Sequence, residues 1–215
     1  MYKILIYQYD SRTINEVDDL YMLISLNKQK CETYHFDYKF FNKYHMDIPP
    51  YWVKVFLLRD LLLSNIYDYI IWLDSDAVLH DYDPIKFDQI LPKDNIIMTA
   101  AKCPYGDQIF NAGVLIMSKY STDLVNDWCR LYNPSFWIKE NNTWRSLGEW
   151  AGETYEQGSF VKYILPKYHH NIIIFPHSVM HNSSLNIAPE SQFLHFIGSL
   201  KVEIRNYLSK FYNIS

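Results

Sequence analysis

The stretch Asp68-Tyr-Ile-Ile-Trp-Leu-Asp-Ser-Asp76 constrains this chain more than any other. Tyr69 to Leu73 is an apolar run rich in Ile and aromatics, too short for a helix and suited to a buried strand. It stops abruptly in Asp74-Ser75-Asp76. In extended chain, acids two residues apart point to the same side of the strand. At the carboxyl end of a strand they stand where open α/β sheets bind ligands. Carboxylates held this close repel unless a cation lies between them. A hard divalent ion carrying a substrate's phosphates, Mg²⁺ or Mn²⁺, answers that need. Taken alone, the Asp-x-Asp triplet is equally readable as an ordinary acidic turn. If the two charges repel, neutralising Asp76 is expected to raise the melting temperature of the metal-free protein.

Composition narrows the partners. The 215 residues carry no Pro/Gly/Ser-rich linker, so a single domain over residues 1–215 is expected. Hydrophobic residues make up 49 %, ample for one core, and the net charge is −4. No basic stripe points to nucleic acid, and an anionic substrate must be held by a metal or by a few placed cations. Cys31, Cys103 and Cys129 are odd in number and widely spaced, which suits a reducing compartment rather than a disulfide framework. Met1 to Tyr7 is too short for the apolar core of a signal peptide, and no run reaches the roughly 18 apolar residues of a membrane span. A cytoplasmic protein without a transmembrane segment is expected.

Along the chain, strands are expected at 3–9, 32–36, 69–73, 95–100, 110–118, 171–175 and 193–198. Helices are expected from a capping box at Thr13-Ile-Asn-Glu16 to about Lys28, and at 51–64, 122–132, 155–165 and 201–211. Asp81 to Pro84 reads as a turn, residues 133–152 as a Trp-rich loop and 177–192 as a polar loop. The alternation implies an α/β fold with a mostly parallel sheet covered on both faces.

Five short pieces then occur in order: Pro50-Tyr-Trp-Val-Lys54 with Leu58-Arg59; Ile71-Trp-Leu-Asp-Ser-Asp-Ala77; Asn111-Ala-Gly-Val114 followed by Met117-Ser118 and Trp128; Glu156-Gln157; and His195-Phe-Ile-Gly198. In these the chain resembles metal-dependent glycosyltransferases of the GT-A fold, and is most similar to glycosyltransferase family 34, the galactosyl-, mannosyl- and xylosyltransferases. The pieces span about residues 50 to 201. The glycogenin-like transferases share the Asp-x-Asp, Asn-x-Gly and His-x-x-Gly logic. Two departures stand out. Glu156 replaces the commoner Asp, and Gly198 is followed by Ser199-Leu200-Lys201 where that family continues Gly-Cys-Lys, so Lys201 falls one place late.

The resemblance implies a Rossmann-like GT-A domain using a nucleotide-sugar donor, with a UDP-sugar favoured over GDP-mannose, a glycan or glycoprotein acceptor, and retention at the anomeric carbon. Carboxylates from Asp74 and Asp76 with an imidazole from His195 suit Mn²⁺ better than Mg²⁺. Asp74 either ligates or touches the ribose, and His195 alone reads as a satisfied core histidine. Lys54 and Arg59 are candidates for a phosphate or for orienting Asp74, and equally for a solvated helix face. Tyr7, Gln8, Tyr9 and Asp10 end the first strand, where a base would stack. Ser75, Asn111, Ala112, Gly113, Gly198 and Lys201 complete the candidate substrate contacts, Gly113 by admitting close backbone approach. Glu156 and Gln157 are the candidate catalytic pair, since an oxocarbenium-like transition state needs a nearby carboxylate or amide oxygen. Of Trp137, Trp144 and Trp150, at least two are expected to pack on the core, leaving room for a sugar platform. A sugar nucleotidyltransferase would want a Gly-rich loop where Gln8-Tyr-Asp-Ser-Arg12 stands. An inactive sugar- or nucleotide-binding module would not need Asp74, Asp76, Gln157 and His195 intact.

Overall fold

Alternate residues of the first strand serve two different cores, and this makes the sheet a layer covered on both sides. In the computed structural model, which describes residues 2–12, 18–103, 109–182 and 191–212, β1 (Ile4–Tyr9) sends Leu5 and Tyr7 to one face and Ile4 and Ile6 to the other. The first face packs on α2 (Pro50–Leu63) and α4 (Thr122–Arg130), the second on α1 (Asp18–Tyr34) and α3 (Pro84–Ile90). α2 buries residues almost all round, as a helix held between layers must.

The central sheet has six strands. β2 (Asp37–Phe41) and β3 (Tyr69–Leu73) flank β1, both parallel to it. β6 (Asn111–Ser118) runs antiparallel between β3 and β5 (Met98–Ala101), and β9 (Ile172–Phe175) closes the far edge parallel to β5. The sheet is therefore mostly parallel, as expected, with β6 reversed. The reversal matters, because the register pairs Leu73 with Val114. Residues 111–113 at the start of β6 thus arrive at the edge where β1 and β3 end.

A small sheet adds the second half of that edge. β4 (Ala77–Leu79) pairs antiparallel with β11 (Phe193–His195), which is flanked by β10 (His181–Asn182) after the short helix α7 (His177–Met180). The register sets His195 opposite Ala77, beside Asp76. Helix α8 (Glu203–Leu208) packs behind it against α1.

Several expectations are corrected, among them the polar loop at 177–192, which begins with α7 and β10. The strand at 32–36 is the end of α1, which runs to Tyr34, and the strand follows at Asp37–Phe41. α1 ends in a Schellman arrangement: the Phe36 N–H donates to the Cys31 carbonyl (2.9 Å), with His35 at φ 61° in the place usually given to Gly. Without Gly the stop signal was missing. The loop at 133–152 contains a hairpin, β7 (Trp137–Glu140) and β8 (Thr143–Ser146), turned by Asn141 and Asn142, both at positive φ. The expected turn at 81–84 contains Asp83, which caps α3 by accepting from the Ile85 and Lys86 N–H groups. The capping box at Thr13 to Glu16 lies outside the described residues.

The helix expected at 155–165 is α5 (Glu156–Ser159), a π-turn at Phe160–Ile164 and α6 (Leu165–Tyr168). Phe160 stacks on Phe110 (4.3 Å between centroids) and meets Trp128 (4.7 Å). These contacts pin the segment that carries Glu156 and Gln157. Among the described residues, no helix is long and apolar enough to cross a membrane.

Candidate active site

A cavity of about 820 Å³ opens over the carboxyl edge of β1 and β3. Asp74, Asp76 and His195 meet in its wall, each offering a ligand atom within 4.8 Å of the others. Extended-strand geometry does not bring the acids together: the Ala77 N–H donates to the Asp74 carbonyl (2.9 Å), so residues 74–77 form a turn between β3 and β4. Gln8 supports that turn from below. Its amide donates to the Asp74 carbonyl (3.0 Å), while Asn27 and Tyr38 donate to its oxygen.

The carboxylates are each divided between a lysine and the imidazole. Asp74 Oδ1 accepts from Lys54 Nζ (3.0 Å) and Trp72 Nε1 (2.8 Å), and its Oδ2 lies 3.6 Å from His195 Nε2. Asp76 Oδ2 lies 3.0 Å from Lys201 Nζ, and its Oδ1 3.2 Å from His195 Nε2. Burial alone would raise the Asp76 carboxyl, but His195 and Lys201 overcome it and hold it well below the usual carboxylate range. The residues fit a divalent cation: two carboxylate oxygens and an imidazole nitrogen face one point, with the remaining oxygens already engaged.

Gly113 makes room for the imidazole. A Cβ built there would lie 1.9 Å from His195 Cε1. Gly113→Ala is therefore expected to displace His195 and weaken Mn²⁺ binding by about 10–100-fold, read by calorimetry, with the far-UV spectrum unchanged. Wild-type affinity in this variant would remove His195 from the ligand set.

Lys54 stands behind the cation site, only 6 % exposed in the middle of an apolar helix. Its ammonium bridges Asp74 and Glu156 Oε1 (3.1 Å) and donates to the Ala112 carbonyl (3.3 Å). Burial would lower its pKa, but the two carboxylates raise it above the ordinary value. Glu156 is itself 4 % exposed, and burial lifts its carboxyl above the usual range against the pull of Lys54. Gln157 lines the cavity and accepts from the Ala112 N–H (3.0 Å). Asn111 lines it too, its side chain accepting from the Gly113 N–H (2.9 Å).

Tyr9, Asp10, Ser75, Gly198 and Lys201 also line the cavity. Gly198 sits at φ +59°, the left-handed region that only Gly enters freely, where the chain leaves β11 and turns toward Lys201 through a 3₁₀ segment. Tyr7, Gln8 and Arg59 are corrected. Tyr7 is wholly buried and donates to the Lys54 carbonyl, and Gln8 is wholly buried under the turn. Arg59 faces away, paired with Asp60 (2.9 Å) and lying over Phe56. Ala112 contributes only backbone, to Lys54 and Gln157.

Sequence reasoning missed Arg12 as a site residue. It pairs with Asp10 (2.5 Å), whose carboxyl it lowers against burial, and donates to Ser75 Oγ (3.2 Å). The Asp-x-Arg spacing was visible but too common to single out. Tyr51 and Tyr155 were missed for a similar reason, since each reads as packing.

Neither a family model nor a curated protein matches the sequence. Solved structures do. A glycosyltransferase involved in the glycosylation of the major capsid of PBCV-1 superposes with a TM-score of 0.73 at 16 % identity, covering 97 % of this chain and 99 % of that one. The glycosyltransferase GlyE of Streptococcus pneumoniae TIGR4 superposes with a TM-score of 0.57 at 13 % identity, and its apo form with 0.54 at 12 %. This chain spans 64 % of the GlyE chains. At such identities the likeness is one of architecture: the chain has the α/β fold of these glycosyltransferases, with an Asp-Asp-His cluster in the wall of its cavity.

Proposed function

We propose that this protein is a metal-dependent glycosyltransferase that moves a hexose or pentose from a nucleoside-diphosphate sugar to a glycan or glycoprotein acceptor, with retention. A UDP-sugar is the favoured donor and GDP-mannose the alternative. The observation that carries the reading is the convergence of Asp74, Asp76 and His195 in the same cavity as Glu156 and Gln157. The glycosyltransferase architecture supports it, and the order of the five motifs supports a reaction of the family 34 kind.

Asp74, Asp76 and His195 would hold the cation, Mn²⁺ better than Mg²⁺ for this mixed ligand set. When bound, it supplies neutralisation of the charge that develops on the departing diphosphate. Lys201, half-exposed and paired with Asp76, adds a positive charge at the same place. Tyr9, Asp10 and Arg12, at the end of β1, offer a ring face and hydrogen-bonding groups to the nucleoside. Glu156 and Gln157 offer carboxylate and amide oxygens to a positive anomeric carbon, and Lys54 pulls the Glu156 carboxyl down against its burial and holds it in place.

Calorimetry with UDP and GDP, each with Mn²⁺ and with chelator, tests this reading. One of the two is expected to bind with Mn²⁺ and to lose most of its affinity in chelator. Equal affinity with and without metal, or no binding of either, would refute it. A nucleotidyltransferase would instead favour nucleoside triphosphate, and an inactive module would bind without turning donor over.

A further inference from the structure

We propose that the aromatic end of this cavity is the acceptor subsite, and that it takes a neutral pyranose stacked on Trp150. The proposal rests on the transferase reading above and names the substrate class for the part of the site which that reading leaves open.

The lining holds two clusters. Asp10 with Arg12, and Asp74 and Asp76 with Lys201, form a charged one, fit for a charged donor and its cation. Tyr51, Trp150 and Tyr155 meet ring to ring in an uncharged one, and the uncharged Asn142, Thr143 and Trp144 line the same cavity. The second cluster adjoins the reacting residues, since Tyr155 directly precedes Glu156 and the Tyr51 hydroxyl feels the charges of Glu156 and Lys54.

Trp150 is 72 % exposed, whereas Trp137 is buried in the core. Its ring is the large apolar face that this part of the cavity presents to water. The ring is also held firmly. It meets Tyr51 (5.6 Å) and Tyr155 (5.0 Å) edge to face. The chain beside it is clamped onto the segment that carries Glu156: a Cβ on Gly158 would lie 2.1 Å from the Gly152 carbonyl oxygen and 2.4 Å from that of Ala151. Ala151 itself sits at φ 55°, a conformation unfavourable for any residue with a side chain. The backbone that carries Trp150 is thus packed against the segment of Glu156 and Gln157. A rigid indole suits the C–H face of a pyranose, which is apolar, while the side chains of Asn142 and Thr143 suit its hydroxyl edge.

The test uses wild type, Trp150→Ala and Trp150→Phe. Methyl glycosides of glucose, galactose, mannose, xylose and fucose, with methyl glucuronide as the anionic counterpart, are titrated by saturation-transfer NMR. UDP and GDP with Mn²⁺ are titrated by calorimetry in parallel. At least one neutral glycoside is expected to bind wild type with its axial C–H signals strongest. Its affinity is expected to fall about tenfold in Trp150→Ala and to persist in Trp150→Phe. The KM for the same glycoside as acceptor should rise in step. The proposal is overturned if no neutral glycoside binds wild type, if Trp150→Ala binds it equally well, or if only the glucuronide binds. Nucleotide binding without glycoside binding would remove the subsite and leave the transferase reading standing. Glycoside binding of the expected kind without nucleotide binding would sink the transferase reading and, with it, the role of this sugar-binding subsite as an acceptor site.

Discussion

Replacing Lys54 with Met is expected to lower the unfolding free energy by about 3–5 kcal/mol, because removing one partner of a buried ion pair strands the other. The lysine holds Asp74 at 3.0 Å and Glu156 at 3.1 Å from one ammonium, and Glu156 is nearly inaccessible to water. Methionine fills the stem's volume but leaves two carboxylates facing each other. For a chain of this size the melting temperature should fall by roughly 10 °C. The loss has a definite pH dependence. Burial raises the Glu156 carboxyl above its unfolded value, and without Lys54 it rises further. A raised acid contributes stability below its unfolded pKa and loses it as pH rises through the folded one. The gap between wild type and variant is therefore expected to narrow as the pH falls from neutrality toward the ordinary carboxylate range. Adding Glu156→Gln to the variant should recover part of the loss at neutral pH. Equal denaturation midpoints for wild type and Lys54→Met would show that the lysine is not the counter-ion.

Asp76→Asn is expected to lower turnover of a nucleotide-sugar donor by about 100-fold or more, since it removes an anionic ligand of the cation that would neutralise the departing diphosphate. Its effect on the metal-free protein separates two accounts. Repulsion between Asp74 and Asp76, the expectation from their spacing, would make the variant more stable. The structure reverses that sign. Asp76 is held by Lys201 and His195, and its carboxyl lies well below the usual range despite burial. Such a group adds stability above its unfolded pKa and loses it as pH falls through the folded one. Asp76→Asn should thus cost about 2 kcal/mol at neutral pH, discounted for the half-exposed lysine. The difference should fade below about pH 4, where the unfolded carboxyl protonates. A metal-free variant more stable than wild type at pH 7 would mean that Lys201 does not hold Asp76.

The sheet was legible because its strands are short apolar runs with abrupt ends: Tyr69–Leu73 is found where expected, and Asn111–Ser118 within a residue. The mid-chain helices were legible from apolar spacing and from Pro50 at the start of α2. What failed were signals that sequence carries weakly. A His in a left-handed helix stop hid the end of α1, and Asn141-Asn142 hid a hairpin inside a Trp-rich stretch. In the site, residue types announced Asp74, Asp76 and His195, but the facing of each side chain was not readable. Gln8 looked like a ligand contact and is a buried brace for the turn. Lys54 and Arg59 lie on one helix, yet the first points into the cavity and the second pairs with Asp60 outside it.

The central claim is sugar transfer that depends on a cation held by Asp74, Asp76 and His195. The most direct measurement is the release of nucleoside diphosphate from a panel of UDP- and GDP-sugars, assayed with Mn²⁺, with Mg²⁺ and with chelator. The account predicts release from at least one donor with Mn²⁺, at a rate equal to or above that with Mg²⁺, and none in chelator. Undiminished release in chelator, or no release from any donor with either metal, would contradict it.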